Sequence, residues 1–410
     1  MKPAALSAVT LLLLGAASAL HMGGRPAVPP PLRAAALRPA SLRMDADAEE
    51  EPQLDRSAPI PTGTGGAAPS SKPAPAAAAP GLSPCSIKVV GVGGGGGNTI
   101  NRMVQEGPGV ERSTFLEYVA CNTDIQALSA SLADRTIQLG RNQARGLGAG
   151  GIPAVGRASA IDAAADIEAI VSGTDMVFVT AGMGGGTGSG AAPVIAELAK
   201  QCGCLTVGIV TKPFLFEGRR RMSQAVEAID SLQEHVDILI VVSNDKLLEI
   251  VPEGVPLQEA FSLADEILRQ GITGISDIVV KPGLINVDFA DVRSVMQNAG
   301  PALMGIGRGF GKTRGRDAAL AAVSSPLLDF PIEKARGVVF TITGNSDMSL
   351  QEVNDVASVI SSIVAPDANI IFGTSVDESY GDEIAVTVVA TSFDVPADAP
   401  AAAAAAPSMP

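Results

Sequence analysis

The sequence predicts an α/β fold built around a parallel sheet, followed by a second and smaller α/β domain. Short apolar runs rich in β-branched residues alternate with stretches of helical periodicity, which is the pattern of strand–helix–strand units with right-handed crossovers. Three glycine-rich segments, residues 91–97, 140–156 and 181–190, interrupt this pattern. Because the carboxyl ends of parallel strands meet at one edge of a sheet, we expect these segments to line one crevice.

The first half of the chain contains most of the predicted parallel sheet. Its strands are β-branched runs such as IKVVGV and LTVGIVT, and most are followed by a loop and a helix-forming stretch. The predicted strands cover residues 87–92, 115–120, 175–180, 205–211 and 237–242, and the predicted helices cover residues 99–106, 158–171, 191–202, 219–234 and 245–251.

The spacing of apolar residues in the segment 256–280 predicts one long helix. Its apolar residues recur every three or four positions and form a stripe that can face the sheet: Phe261, Ala264, Leu268, Ile272, Ile275 and Val279. Gly271 and Gly274 lower the helix propensity near its centre. The second domain follows, with strands predicted at residues 302–307, 337–343, 369–373 and 384–391 and helices at residues 316–324 and 349–363.

Residues 181–193, AGMGGGTGSGAAP, carry the strongest chemical signal. They follow a predicted strand and lead into a helix, with Pro193 expected in its first turn. Glycines remove the Cβ atoms that keep backbone N–H groups away from an anion, and a helix N-terminus adds unpaired donors and a positive dipole end. Thr187 and Ser189 can add hydroxyl donors. The segment therefore predicts a polyphosphate site rather than a flexible turn.

A second glycine pattern leaves a different function open. Gly91-x-Gly93-x-x-Gly96 satisfies the dinucleotide fingerprint after a strand, and Asp124, beyond the second strand, could bind a ribose. A dinucleotide-binding oxidoreductase is therefore the alternative, although it does not explain the GGGTGSG segment.

Charge and composition exclude other classes of partner. The 410 residues carry a net charge of −14, although residues 1–44 hold five basic residues and no acid. The acidic body lacks the basic field that holds nucleic acid, so we predict no nucleic-acid partner. Four cysteines and two histidines form no disulfide framework or metal-ligand pattern, so we predict reduced thiols and no protein metal centre. Cys202 and Cys204 could form a redox pair, but packing as small apolar residues is the favoured interpretation.

The two ends of the chain differ from the body. Residues 1–19 have the charge, apolar run and small-residue site of a secretory signal, and residues 20–44 have the arginine-rich, acid-free character of a transit peptide. Together they resemble the bipartite presequence of algae with secondary plastids, although Leu20 stands where phenylalanine is common. We expect the plastid stroma as the location, with a mitochondrion second. Residues 45–84 predict a disordered linker and residues 394–410 a disordered tail.

A pair of carboxylates follows the long helix. Asp288 and Asp291 lie three positions apart at a predicted helix start, on one side of its first turn, and Asn286 precedes them. Carboxylates at a helix N-terminus usually cap it or compensate its dipole. Spacing alone therefore favours capping or dipole compensation.

Seven segments, taken together, resemble the FtsZ family of tubulin-like division GTPases. They occur in order between residues 86 and 391: GVGGGGGN at 91–98, NTD at 122–124, GLGAG at 146–150, AGMGGGTGSGAAP at 181–193, TKPFLFEGRRRM at 211–222, SND at 243–245 and NVDFADVR at 286–293.

The resemblance implies a tubulin/FtsZ-like architecture. A Rossmann-like GTP-binding domain would cover residues 85–255, a central helix residues 256–282, and an α/β C-terminal domain with the catalytic loop residues 283–393. It also implies a GTPase that binds GTP, GDP and Mg²⁺ and stacks head to tail with copies of itself, here in plastid division. A second FtsZ-type subunit is a further candidate partner. Many members end in a hydrophobic and basic peptide, which residues 394–410 lack, so we expect membrane contact only through adaptors.

The resemblance also assigns nucleotide-binding residues. Glu217 and Arg221 would lie on the ribose side. Asp265 would accept from N1–H and the 2-amino group of guanine, and Phe261, one helical turn earlier, would stack on the base. The phosphates would be held by Gly94, Gly95, Gly96, Gly97, Asn98, Gly186, Thr187 and Gly188.

Catalysis is assigned by the resemblance to Asp288, Asp291 and Asn286, acting on the nucleotide of the next subunit. This reverses the capping interpretation. Carboxylates beside a subunit's own triphosphate would repel it, whereas carboxylates delivered on assembly can orient or deprotonate water while Mg²⁺ offsets charge. A nucleotide-stabilised structural filament without significant turnover is the remaining alternative, disfavoured by the two intact carboxylates.

Overall fold

A ten-stranded sheet organises the part of the chain that the structure describes. The computed structural model describes residues 85–106, 115–250, 256–281, 285, 287–328 and 332–393. The strands are β1 Ile87–Val92, β2 Leu116–Asn122, β3 Arg135–Gln138, β4 Met176–Gly182, β5 Leu205–Lys212, β6 Ile238–Ser243, β7 Gly300–Phe310, β8 Ala335–Gly344, β9 Asn369–Val376 and β10 Glu383–Phe393.

Helices cover both faces of this sheet. They are α1 Gly93–Glu106, α2 Ile125–Ser129, α3 Pro153–Asp162, α4 Ala164–Val171, α5 Thr187–Gln201, α6 Arg219–Gln233, α7 Asn244–Ile250, α8 Leu257–Val280, α9 Phe289–Met296, α10 Arg314–Val323 and α11 Leu350–Ile363. Among the helices described, none is long and apolar enough to cross a bilayer.

The strand order is β3-β2-β1-β4-β5-β6-β7-β10-β8-β9, and β1 to β6 are all parallel. β7 joins two regions of the sheet. Its start, Gly300 to Ala302, pairs in parallel with β6, and from Leu303 onward it pairs antiparallel with β10. The predicted parallel α/β sheet with a smaller α/β region is confirmed.

Alternating side chains of the parallel strands build two apolar layers. Val89 and Phe178 face the layer that contains α8, whereas Val90 and Val179 face the layer that contains α5. The alternation follows from the two-residue period of a strand. A third apolar cluster lies between the C-terminal strands and the helices α10 and α11.

The long helix α8 packs closely against the sheet through its two central glycines. A Cβ atom on Gly271 would lie 2.8 Å from Met304 Sδ, and one on Gly274 would lie 2.7 Å from Thr387 Cγ2. Thr341 Oγ1 donates to the carbonyl of Gly274 at 2.6 Å. The glycines therefore lower the helix propensity of α8 but allow its backbone to lie close to the sheet. The predicted apolar stripe is buried except at Phe261, which is 41% exposed.

Several predicted element bounds were wrong. α1 begins at Gly93 rather than residue 99, and α5 begins at Thr187 rather than residue 191, so both glycine runs form first helical turns. Gly190 N donates to Gly186 O at 3.1 Å, which leaves Pro193 in the second turn of α5. The predicted helix at residues 158–171 is two helices, because Ala163 N bonds to Ala160 O instead of continuing the i−4 ladder.

Candidate functional site

The three predicted glycine segments meet at the carboxyl ends of the parallel strands. A Cβ atom on Gly93 would lie 3.0 Å from Gly188 N, so the start of α1 abuts the start of α5. A Cβ atom on Gly186 would lie 2.8 Å from Ile152 N, which brings the third segment to the same place. This convergence places two helix N-termini in one crevice.

Both helix starts are suited to an anion. Neither α1 nor α5 has an acidic residue in its first turn, and Gly186, the N-cap of α5, makes no side-chain capping bond. The positive dipole ends therefore remain uncompensated by local carboxylates. A Cβ atom on Gly94 or Gly97 would meet no other atom within 4 Å, so the backbone there is approachable.

Not every glycine of the predicted phosphate set is equally open. Gly94, Gly95 and Asn98 are exposed, whereas Gly96 is buried against the carbonyl of Thr180. Gly96 thus lets α1 approach the sheet. In the second segment Gly186 and Gly188 are buried and Thr187 is half-buried.

Two hydroxyl groups shape the loop before α5. Thr187 Oγ1 lies 2.6 Å from Thr123 Oγ1, which ties α5 to the end of β2. Ser189 is buried, and its Oγ accepts a hydrogen bond from Gly184 N at 2.8 Å. Ser189 therefore uses its oxygen to hold the loop backbone in place. Sequence reasoning did not single out Thr123, although it lies in the quoted NTD segment.

An aromatic cluster borders the crevice beside α8. Phe214 is fully buried, stacks on Phe216 with centroids 4.9 Å apart, and meets Phe261 edge-on at 5.3 Å. Phe216 and Phe261 remain exposed. They offer apolar faces on which a base can stack. The sequence showed the phenylalanines but could not show that Phe214 supports the other two.

Asp265 lies one turn after Phe261 on α8 and is half-buried. Its Oδ1 accepts from Thr99 Oγ1 at 3.2 Å. Burial raises the pKa of Asp265 to about 6, while Thr99 and the positive charge of Arg102 act in the opposite direction. A carboxylate in this setting accepts hydrogen bonds strongly, because little water competes for it.

Glu217 and Arg221 form an ion pair next to the aromatic cluster. Arg221 Nη1 lies 2.9 Å from Glu217 Oε2, and Glu217 Oε1 accepts from Phe214 N at 2.8 Å. A Cβ atom on Gly184 would lie 2.7 Å from Arg221 Cγ, so this pair adjoins the loop before α5. The predicted ribose-side residues therefore lie beside both the aromatic cluster and the glycine segments.

The predicted catalytic carboxylates lie elsewhere in the same subunit. Asp288 occupies the N-cap position of α9 but makes no side-chain capping bond, and both Asp288 and Asp291 are exposed. Asp288 therefore does not cap α9 with its side chain, although its position at the helix start is compatible with compensation of the helix dipole. Asn286 lies outside the described residues. Arg293, on the same helix α9, donates from Nη2 to the carbonyl of Gly203 at 3.0 Å. Gly203 lies just before the start of β5, so α9 is at the edge of the sheet opposite the crevice.

No metal cluster accompanies these groups within the described residues, where no three His, Cys, Asp or Glu side chains are grouped to hold an ion. The four cysteines are free, and burial raises the pKa of Cys204, which makes its thiol less reactive. Cys202 is exposed.

Comparison with known proteins agrees with this arrangement. Residues 86–252 match the tubulin/FtsZ family GTPase domain, and residues 300–394 match the FtsZ family C-terminal domain. An empty FtsZ dimer from M. jannaschii is 45% identical with a TM-score of 0.71, covering 75% of this chain and 88% of that chain. The chain belongs to the tubulin/FtsZ family.

Two further structures extend the comparison. A mutant FtsZ from M. jannaschii is 44% identical with a TM-score of 0.72, covering 75% of this chain and 91% of that one. CetZ2 from Haloferax volcanii, solved as a GTPγS-bound protofilament, is 21% identical with a TM-score of 0.62, covering 74% and 92% of the two chains. The CetZ2 likeness shows the fold alone. As a tubulin/FtsZ-family GTPase, the chain binds and hydrolyses GTP.

Proposed function

We propose that this protein assembles head to tail into a filament that acts in plastid division, and that GTP is hydrolysed at the contact between subunits. The observation that carries the proposal is the separation of Asp288 and Asp291 from the crevice of their own subunit. Both carboxylates are exposed, and among the described contacts Asp288 makes neither a side-chain capping bond nor an ion pair.

Head-to-tail stacking would bring the two half-sites together. The crevice opens at the carboxyl ends of the strands, and the carboxylates lie beyond the far end of α8. A translated copy can therefore present its carboxylates to the crevice of its neighbour, which a two-fold dimer need not do. The similar M. jannaschii FtsZ was solved as a dimer, which supports self-assembly.

Within the crevice, the proposal divides the nucleotide among three groups of residues. Asp265 and Phe261 would recognise guanine, and Glu217 and Arg221 would contact the ribose side. The phosphates would lie on the two helix starts, held by Gly94, Gly95, Gly97, Asn98, Thr187 and the backbone around Gly186 and Gly188, with Gly96 shaping the turn beneath them.

Hydrolysis would follow once a neighbour supplies Asp288 and Asp291. A carboxylate positioned near the γ-phosphate can orient or deprotonate the attacking water. Mg²⁺ fits a crevice that offers neutral oxygens such as those of Asn98 and Thr187, because Mg²⁺ keeps several waters and phosphate oxygens as ligands. When bound, it would neutralise charge on the phosphates.

The proposal also divides the chain into functional parts. A GTP-binding domain covers residues 85–255, a central helix residues 256–282, and a C-terminal domain residues 283–393, while residues 45–84 form a linker and residues 394–410 a tail. Copies of the same chain are the main partner. A second FtsZ-type subunit and membrane adaptors are further proposed partners.

Residues 1–44 support the plastid location, because they join a signal-like and a transit-like segment. A fluorescent reporter fused to residues 1–44 should enter a plastid in an alga with secondary plastids. Deletion of residues 1–19 should block that route. Arrival of the reporter in mitochondria would refute the location.

Light scattering and phosphate release, measured together on the full chain with GTP, ATP or NAD, test the function. Of the three nucleotides, we expect only GTP to cause scattering. We also expect the rate of GTP hydrolysis per subunit to rise steeply with protein concentration. Binding of NAD without scattering would instead support an oxidoreductase. Scattering with GTP but without phosphate release would support a structural filament.

A further inference from the structure

Thr99 joins the two helices that border the proposed nucleotide. It lies on α1, just after the glycine run, and it is fully buried. Its Oγ1 lies 3.2 Å from the carbonyl oxygen of Gly95 and 3.2 Å from Asp265 Oδ1. One hydroxyl group therefore touches both the phosphate-side backbone and the carboxylate proposed to read the base.

The chemistry of the contact limits how Asp265 can be arranged. An ionised carboxylate only accepts hydrogen bonds, and guanine presents two donors, N1–H and the 2-amino group. A donor fixed on Oδ1 restrains the rotation of the carboxylate about its χ2 angle, which is otherwise broad. The other lone pairs of the Asp265 carboxylate, which would accept from guanine, then keep a constant direction. Without Thr99, the carboxylate would have to be ordered by the base itself, at an entropic cost.

The charge environment makes this contact important. Asp265 is half-buried on α8, and burial raises its pKa to about 6. From α1, the Thr99 hydrogen bond and Arg102 lower that pKa, and Arg102 Nε also lies 3.6 Å from Glu266 Oε2. From α7, which also packs on α8, the charged residues whose side chains the structure describes are Asp245 and Lys246. A protonated Asp265 would present a donor to guanine N1–H, which is also a donor.

We propose that Thr99 is a positioning residue for guanine selectivity, which holds the Asp265 carboxylate so that it accepts from both guanine donors. The proposal rests on the assignment of guanine to Asp265 in the proposed function. The single hydroxyl proton serves one acceptor at a time, so the bond to Asp265 competes with the bond to the carbonyl of Gly95. Because Thr99 lies on α1 four residues after Gly95, its bond to Asp265 still sets the carboxylate at a constant position relative to the glycine run. Base and triphosphate are then recognised by one connected unit.

The test compares full-length Thr99→Val and Thr99→Ser with the wild type. Valine keeps the shape of threonine and removes the hydroxyl, whereas serine keeps the hydroxyl. Affinities for GTP and ATP are measured by displacement of a fluorescent GTP analogue from pH 5 to 8. The GTP/ATP affinity ratio is the readout, because protonation of the triphosphate affects both nucleotides alike.

We expect Thr99→Val to lower the GTP/ATP ratio about fivefold at pH 7, the size of one hydrogen bond. We also expect the pH below which the ratio declines to move upward, because Asp265 loses a bond that stabilises its charged form. Thr99→Ser should resemble the wild type. Thr99→Ala should repeat the valine result, so the test survives if one variant fails to fold.

A matched control is Thr174→Val. Thr174 is buried just before β4, and its hydroxyl has no hydrogen-bond partner in the described part of the chain. This variant should leave the ratio and its pH profile unchanged. If folded Thr99→Val keeps the wild-type GTP/ATP ratio and pH profile, the inference about Thr99 is overturned, while the assignment of guanine to Asp265 is not affected. A wild type without any preference for GTP would overturn the assignment of guanine to Asp265, and the inference with it.

Discussion

Thr374 binds the backbone of Ile285 through two hydrogen bonds. Ile285 N donates to Thr374 Oγ1 at 2.9 Å, and Thr374 N donates to Ile285 O at 3.2 Å. Thr374 is buried on β9, whereas Ile285 comes three residues before Asp288. The strand therefore restrains the chain immediately upstream of the proposed catalytic carboxylate.

Removing this hydroxyl should impair turnover without impairing nucleotide binding. Thr374→Val leaves Ile285 N without its acceptor, so we expect kcat to fall about two- to tenfold, equivalent to ~0.5–1.5 kcal/mol. The affinity of the isolated subunit for GTP should stay within twofold. Phosphate release at saturating GTP measures kcat, and equilibrium binding measures the affinity for GTP. Thr374→Ser keeps the hydroxyl and should have the kcat of the wild type. A loss of GTP affinity with unchanged kcat would contradict the prediction.

Asp265 should control both affinity and base choice. Asp265→Ala removes a charged acceptor for two guanine donors, so we expect GTP binding to weaken by about 1.5–3 kcal/mol and the GTP/ATP preference to narrow. Competition binding with GTP and ATP measures both effects. If a folded variant keeps its selectivity, guanine is recognised elsewhere.

Local patterns predicted the parallel sheet and the convergence of the glycine segments. The strands β1, β4, β5 and β6 are mostly buried runs rich in β-branched residues, which is typical of a parallel sheet covered on both faces. The short strand β3 and helix α2 were missed, because their stability comes from neighbours. β3 pairs with β2, and α2 is capped by Asp124 Oδ1, which accepts from Gln126 N at 2.8 Å.

The contacts around the site were harder to predict from the sequence. Thr99 and Asp265 are separated by 166 positions, and Ile285 and Thr374 by 89. No local periodicity reports such pairs, since the first joins α1 to α8 and the second joins the segment after α8 to β9. Asp124, which the dinucleotide alternative offered to a ribose, is instead used to begin α2.

Arg314 and Glu352 provide a prediction for the C-terminal domain. Buried Arg314 donates from Nε to Glu352 Oε1 at 2.6 Å and from Nη2 to Asp347 at 2.7 Å. The Arg314 hydrogen bond lowers the pKa of Glu352 to about 2. Stability from this ionised pair is therefore fully present above about pH 4.5 and is lost as the pH falls through about 2.

Glu352→Gln should consequently destabilise the protein by about 1–3 kcal/mol at pH 7, because it removes the charge of half-buried Glu352 from its hydrogen bonds with buried Arg314. Its amide oxygen can still accept from Ser349 N, so the helix cap of α11 is retained. Thermal unfolding of wild type and variant at pH 7, 4, 3 and 2 gives the comparison. The difference should shrink as the pH falls below 4.5, and a constant difference would exclude this pair as its source.

The central claim is that each active site takes its nucleotide from one subunit and Asp288 from the next. Asp288→Ala should leave GTP affinity nearly intact and abolish most turnover, since its own crevice is unchanged. As a control, Asp367→Ala, at an exposed aspartate of the same domain, should change neither GTP affinity nor turnover. Turnover that persists in Asp288→Ala would already refute the catalytic role.

Complementation between two inactive variants tests the shared site most directly. At a GTP concentration too low to occupy Asp265→Ala, that variant supplies Asp288, while Asp288→Ala supplies bound GTP. The account predicts that phosphate release by the mixture greatly exceeds the sum of the separate rates, and that the double variant cannot replace either partner. A mixture that only equals the sum would show that each subunit hydrolyses its own nucleotide, which contradicts the account.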